Sequence, residues 1–299
     1  MRILVAIVHH WNPKGGGRHA SLRPNHHPRK HGLQDQLMSL RRLGHLQGTI
    51  DFSSLAVKPM NESLGNVIDI RLITDGKHTV IDYLDKHYSE LFNEITTDPL
   101  DGLHLGFEAQ KYLASQLNKK YDLYCYMEDD LIIHDPVFFQ KIAWFNKEIG
   151  DLKVLLPHRF EFSNAPGRIE KLFIDGPAPP KDVRSLIPKP SQALVAGSPA
   201  GNILYESPAN PHAGCFFLTH KQLEYWSEHP SWQDGDISYV SPLESAATLG
   251  LTKAFSLYKP SFTNASWLEV QHWGTSFLCW VHPKKTAASE NESEKQEDD

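Results

Sequence analysis

Residues 119–136 read KKYDLYCYMEDDLIIHDP. An apolar and aromatic run, 123–127, ends abruptly in Glu128, Asp129 and Asp130, and a second apolar step, Leu131, Ile132 and Ile133, follows. A strand with that pattern is buried, so its acids fall where it emerges at the carboxyl edge of a sheet. In open α/β sheets that edge is where ligands bind. Three adjacent carboxylates repel one another, and desolvating them is costly unless a cation is present. Hard oxygen ligands of this kind suit Mg²⁺ or Mn²⁺, above all when substrate phosphates complete the shell. The same acids also suit a solvated turn before a helix starting after Asp135 and Pro136, because acids are favoured at helix starts.

Working outward, strand and helix signals alternate. Residues 3–8 form a short β-branched apolar run, read as a buried first strand. Residues 9–32 are polar and rich in Gly, Pro and His, and 33–46 carry leucines at helical spacing (Leu33, Leu37, Leu40, Leu43). Residues 67–74 alternate like a second strand ending at Asp75-Gly76; 79–94 and 105–117 read as helices, as do 136–149 after the acidic strand. This order predicts an α/β fold with a mostly parallel sheet and right-handed crossovers. Eight of the twenty prolines lie within 175–211, which predicts a long loop or lid. Regular signals resume as a strand at 214–218, a helix at 220–228 and a helical stretch at 243–249 ending at Gly250. No repeat and no clean linker interrupts this order, so residues 1–285 are expected to form a single domain.

Composition bounds the function. Hydrophobic residues make up 40% and charged residues 22%, as in globular proteins that bury a sizeable core. A net charge of −6 argues against general nucleic-acid binding. Residues 286–299 hold six acids against Lys295 and almost nothing apolar, which predicts a disordered acidic tail. Cys125, Cys215 and Cys279 are sparse, odd in number and far apart, so no disulfide framework is expected and a reducing, cytoplasmic setting fits. The opening apolar run is too short to span a bilayer and lacks a signal-peptide cleavage pattern, and no transmembrane segment is expected.

Read in order, these pieces resemble the GT-A glycosyltransferases, especially their family-2-like members. RILVAIVHHW (2–11) resembles the opening strand and RLITDGKH (71–78) the second strand with its aspartate turn. HLGFEAQKYLAS (104–115) followed by the acidic strand resembles the central helix and the metal-binding DxD strand. NPHAGCFFLTHKQLEYW (210–226) looks like the acceptor-side strand and helix, and SPLESAATLGL (241–251) like the helix bearing the catalytic base. The resemblance covers roughly residues 1–275. It implies a GT-A-like, Rossmann-type sheet flanked by helices, a UDP- or GDP-sugar donor, Mn²⁺ or Mg²⁺, and transfer to an acceptor hydroxyl with inversion.

The resemblance implies roles residue by residue. Asp130 and Glu128 become metal ligands, with His272 in VQHWGTS as the late histidine that completes the site; His282 competes with it. Asp129 is assigned to the donor sugar hydroxyls and Asp75 to the uracil or ribose, although Asp75-Gly76 also reads as an ordinary turn. Glu244 is the candidate general base, with Asp234 and Asp236 as substitutes and a helix first-turn acid as the plain alternative.

Two features depart from the pattern: Leu-Glu-Ser stands at 243–245 where many relatives carry Glu-Asp, and six histidines crowd residues 9–31. That loop also carries Lys14, Arg18, Arg23, Arg29 and Lys30 around Gly15-Gly16-Gly17. It reads either as a solvated flexible segment or as a wrap for a diphosphate or acceptor, and its spacing fits no defined zinc pattern. Trp226, Trp232 and Trp267 read as sugar-stacking platforms or as packing. Competing functions are a non-catalytic sugar-nucleotide or glycan-binding protein, and a sugar nucleotidyltransferase.

Overall fold

The computed structural model describes residues 1–16, 19–163, 169–177, 185–186, 191–199 and 201–281. The acidic tail, His282, Gly17 and Arg18 therefore lie outside the described residues, as does much of the proline-rich stretch. The fold is α/β. Its central sheet has five strands in the order Cys215–Thr219, Leu123–Glu128, Arg2–Val8, Val67–Thr74, Asn93–Thr96. All neighbours are parallel except Cys215–Thr219, which runs antiparallel to Leu123–Glu128. Every residue of the first strand after Arg2 is buried, so both faces of the sheet are covered at its centre.

Helix His27–Arg42 packs Leu33, Leu37 and Leu40 into the core, and Leu105–Ser115 buries Leu105, Phe107, Ala109 and Leu113. Gly106 is required where that second helix lies tightest, because a Cβ there would meet the Ala246 Cβ at 2.5 Å and the Tyr126 hydroxyl at 2.9 Å. Among the described residues there are also two four-stranded sheets and a two-stranded hairpin, Gly48–Asp51 with Ala56–Pro59. One four-stranded sheet has the order Lys171–Phe173, His158–Phe162, Glu269–His272, Leu131–Ile132; the other runs Leu194–Ser198, Gly201–Glu206, Ser256–Pro260, Lys153–Leu155. Among the described residues no helix is long and apolar enough to cross a membrane.

Several expectations change. Residues 79–94 do not form one helix: a short turn Ile81–Tyr83 and the four-residue helix Lys86–Ser89 lead into Asn93–Thr96, the edge strand of the central sheet. The segment's last residues pair with Val67–Thr74 in the sheet, and this tertiary pairing overrides the helical spacing; the Val80 N–H donates to the His9 ring at 3.0 Å. The stretch 175–211 is not all loop, since Leu194–Ser198 and Gly201–Glu206 form a hairpin within it. The 243–249 helix does not end at Gly250. It passes through a π-helical turn, Ser245–Leu249, and continues as Gly250–Ala254, with Gly250 seated against the Trp226 ring. The helix placed at 33–46 starts earlier, at His27, where Pro28 occupies a first-turn position that needs no N–H donor.

Candidate functional site

Strand Leu123–Glu128 delivers the acidic cluster to the carboxyl edge of the central sheet, between the ends of Arg2–Val8 and Cys215–Thr219. The chain turns through Asp129 and Asp130 and re-enters as Leu131–Ile132, which pairs antiparallel with Glu269–His272. His272 stands opposite Leu131, and the Trp273 N–H donates to the Asp130 carbonyl at 2.8 Å. A short ladder thus brings a histidine distant in sequence to the acidic turn.

The three acids are not equivalent. Asp129 is buried and engaged: its carboxylate accepts from His9 Nδ1 and pairs with Arg29. The other His9 nitrogen accepts from the Val80 N–H, so His9 is the neutral Nδ1–H tautomer; burial holds its pKa down at about 3. Asp129 therefore braces the first strand against the acidic turn. Asp130 accepts from Arg29 Nη1 at 3.0 Å, and its Oδ2 lies 3.8 Å from His272 Nε2. Burial alone would raise the Asp130 pKa, but His272 and Arg29 outweigh it and hold the group ionised. Glu128 is pushed up to about 7, first by burial and then by the Asp130 charge.

His272 is aimed by Glu161, which sequence reading did not single out. Glu161 is fully buried and accepts from the Phe277 N–H at 3.1 Å, the Leu278 N–H at 2.7 Å and the Ser276 hydroxyl at 3.1 Å. It also faces His272 Nδ1 at 3.2 Å, leaving Nε2 turned toward Asp130. A carboxylate behind an imidazole is the usual support of a metal-binding histidine. Glu128 Oε1 and Asp130 Oδ1 are buried without a hydrogen-bond partner, so the cluster presents two unsatisfied carboxylate oxygens beside an oriented imidazole. The chemistry of these donors suits a hard divalent cation, which would require Glu128 to swing toward Asp130 and His272. Of the three residues the sequence assigned to a metal, Asp130 and His272 face each other at 3.8 Å, while among the described residues Glu128 does not join them in a group whose ligand atoms all lie within 4.8 Å of one another.

Asp75 sits at the carboxyl end of Val67–Thr74 in the expected Gly76 turn, where φ is +70° and a Cβ would meet Thr96 Cγ2 at 2.7 Å. Its Oδ1 accepts from the Lys77 and His78 N–H groups at 2.9 and 2.8 Å, and its Oδ2 lies 2.6 Å from His78 Nδ1. Burial opposes the charge, but the His78 and Lys77 hydrogen bonds outweigh it and hold the Asp75 pKa at about 2.

Glu244 lies on the opposite flank. Ser241 caps its short helix by accepting the Glu244 N–H at 3.2 Å. The carboxylate faces His212 Nε2 at 3.7 Å, and burial raises its pKa while the positive charge of Arg159 opposes the rise. His212 is itself neutral, since burial and then Arg159 push its pKa far down. The substitutes Asp234 and Asp236 are both tied to Lys253, at 2.6 and 2.8 Å. Trp226 is buried core with Trp232 packed on it at 4.8 Å, and Trp267 lies beneath Lys141; these rings are packing. The described part of the histidine-rich loop is built, not loose: His26 stacks on Tyr83 at 4.0 Å, and Trp11 Nε1 donates to the Arg23 carbonyl at 2.9 Å.

No family model and no curated protein matches the chain. Among solved structures, the chain is similar to S. aureus TarS 1–349 in complex with UDP, at 10% identity and a TM-score of 0.39, over 88% of this chain and 58% of that one. It is also similar to a mannose-1-phosphate geranyltransferase from Thermus thermophilus, at 11% identity and a TM-score of 0.39, over 87% and 73%. The chain thus spans 58% of the first structure's length.

Proposed function

We propose that this chain is a GT-A glycosyltransferase that uses a UDP- or GDP-sugar and a divalent cation. The carrying observation is Asp130 facing, at 3.8 Å, a His272 oriented by Glu161, with buried carboxylate oxygens of Glu128 and Asp130 left without a hydrogen-bond partner. Glu128, Asp130 and His272 would hold Mn²⁺ or Mg²⁺, whose Lewis acidity neutralises charge developing on a leaving diphosphate. Asp75, at the neighbouring strand end, is the residue assigned to the nucleoside side of the site. Glu244, with its raised pKa and no Lys or Arg ion pair among the described residues, takes the proton of the acceptor hydroxyl as that oxygen attacks the anomeric carbon. The bond to the diphosphate breaks on the opposite side, and the product is inverted. Three free cysteines fit a reducing cytoplasm.

The test is incubation with UDP- and GDP-sugars, with and without Mn²⁺. Metal-dependent release of nucleoside diphosphate supports the proposal. Binding without turnover would make the chain a sugar-nucleotide-binding protein, and release of pyrophosphate from a sugar phosphate and a nucleoside triphosphate would make it a nucleotidyltransferase.

A further inference from the structure

His10, Asp75 and His78 form a second cluster, separate from the acidic turn. His9 turns inward to Asp129, and strand alternation turns His10 the other way, toward the mouth of the sheet edge. The backbone fixes this register: the His9 N–H donates to the Ile73 carbonyl at 3.0 Å and the Trp11 N–H to the His78 carbonyl at 2.7 Å. With Asp75 Oδ1 held by two backbone N–H groups, Oδ2 is left facing two imidazoles. It lies 2.6 Å from His78 Nδ1 and 4.0 Å from His10 Nδ1. One ligand atom of each of His10, Asp75 and His78 lies within 4.8 Å of the other two. His10 Nδ1 is buried and has no hydrogen-bond partner, which is costly for a polar atom unless something else binds it. The two rings are tilted at 47° with centroids 5.2 Å apart, so neither covers the other's nitrogen.

We propose that His10 Nδ1, His78 Nδ1 and Asp75 Oδ2 form a zinc-binding site that leaves a fourth position open. Zinc takes imidazole nitrogens and carboxylate oxygens at ~2.0–2.2 Å in tetrahedral geometry, which sets ligand atoms about 3.3 Å apart. His78 therefore moves slightly away from Asp75 and His10 slightly toward it, both by side-chain rotation. Each imidazole carries its proton on Nε2 in the bound form, so both rings bind as neutral ligands. The side chains are 14–39% exposed, which leaves the ion a path in from solvent. The ion would clamp the ends of Arg2–Val8 and Val67–Thr74 together. The proposal does not depend on the glycosyltransferase reading.

The test is calorimetric titration of Zn²⁺ into the chelator-treated full chain, with Co²⁺ absorption as a second readout. Wild type, Asp130→Asn and the exposed-histidine control His87→Ala are all expected to keep a tight equivalent that gives the visible bands of tetrahedral Co²⁺, whatever further Zn²⁺ the acidic turn takes up. His10→Ala and His78→Ala are expected to weaken that equivalent by ~100-fold or more, since even outer-shell partners change metal affinity by ~10–100-fold. Should either variant unfold by circular dichroism, Asp75→Asn decides, because it keeps the Oδ1 acceptor of the turn while removing the ligand charge. Wild-type affinity in the ligand variants would overturn the site, as would no tight binding to wild type or loss of binding in Asp130→Asn alone.

Discussion

At the scale of single residues, Glu128 carries the most testable consequence. Its pKa moves from 4.5 to about 7 in the folded, metal-free protein, chiefly through burial. The folded state therefore binds an additional proton between those values, so this group's stability contribution is complete below about 4.5 and is lost as pH rises through about 7. Glu128→Gln, measured by thermal melts in chelator, should raise the melting temperature at pH 8 and leave it unchanged at pH 4. No gain at pH 8 would place Glu128 in a more hydrated setting. For Glu244→Gln, transfer should fall by ~10²–10⁴-fold while donor affinity survives, with inverted product read by NMR. A variant within a few-fold of wild type, or retained configuration, would remove Glu244 as base. The acidic cluster was legible because a run of charge at the end of an apolar strand stands out in one dimension, whereas roles for Asp75 and Glu244 came only from the resemblance. Glu161 and Arg159 were not legible, since their roles exist only once Glu269–His272 is laid beside His158–Phe162. The inward use of Asp129 was equally hidden, because its partners His9 and Arg29 come from the opposite end of the chain.

At the scale of elements, the antiparallel strand Cys215–Thr219 is delivered to the site by Gly214. Its φ is +64°, and an added Cβ would lie 3.1 Å from both Glu128 Oε2 and Leu131 Cδ1. Gly214→Ala should lower stability by ~1–2 kcal/mol from the left-handed backbone alone, and should weaken metal binding by displacing Glu128. Denaturant unfolding and Mn²⁺ titration check the two effects, and unchanged values in both would separate Gly214 from the site. The elements that sequence revealed are those whose burial is uniform, such as Arg2–Val8 and Leu123–Glu128. Lys153–Leu155, Glu269–His272 and Asn93–Thr96 escaped because they have only three or four residues each. Strands so short carry too few alternations to show a period.

At the scale of the whole molecule, a buried charge network ties the added sheets to the carboxyl edge of the central sheet. Asp175 accepts from Arg159 Nε and Nη2 at 3.0 and 2.9 Å and from Lys259 Nζ at 2.8 Å, and Lys259 also donates to the His212 carbonyl at 2.6 Å. All three charged side chains are buried. Asp175→Ala would strand two cations in the interior, and urea unfolding should show a loss of ~3–5 kcal/mol. A loss under ~1 kcal/mol would mean that water reaches the network. The parallel order of the main sheet was legible from alternating strands and helices, whereas this network joins residues whose proximity no local pattern encodes. The proposed activity requires the acidic turn and His272 to hold a cation that in turn holds a nucleotide diphosphate. Its most direct test is calorimetric titration of UDP and GDP, with and without Mn²⁺, into wild type, Asp130→Ala and His272→Ala. The account predicts nucleotide binding to wild type that requires Mn²⁺ and is lost in Asp130→Ala and weakened in His272→Ala; equal affinity in all three proteins, or binding indifferent to Mn²⁺, would contradict it.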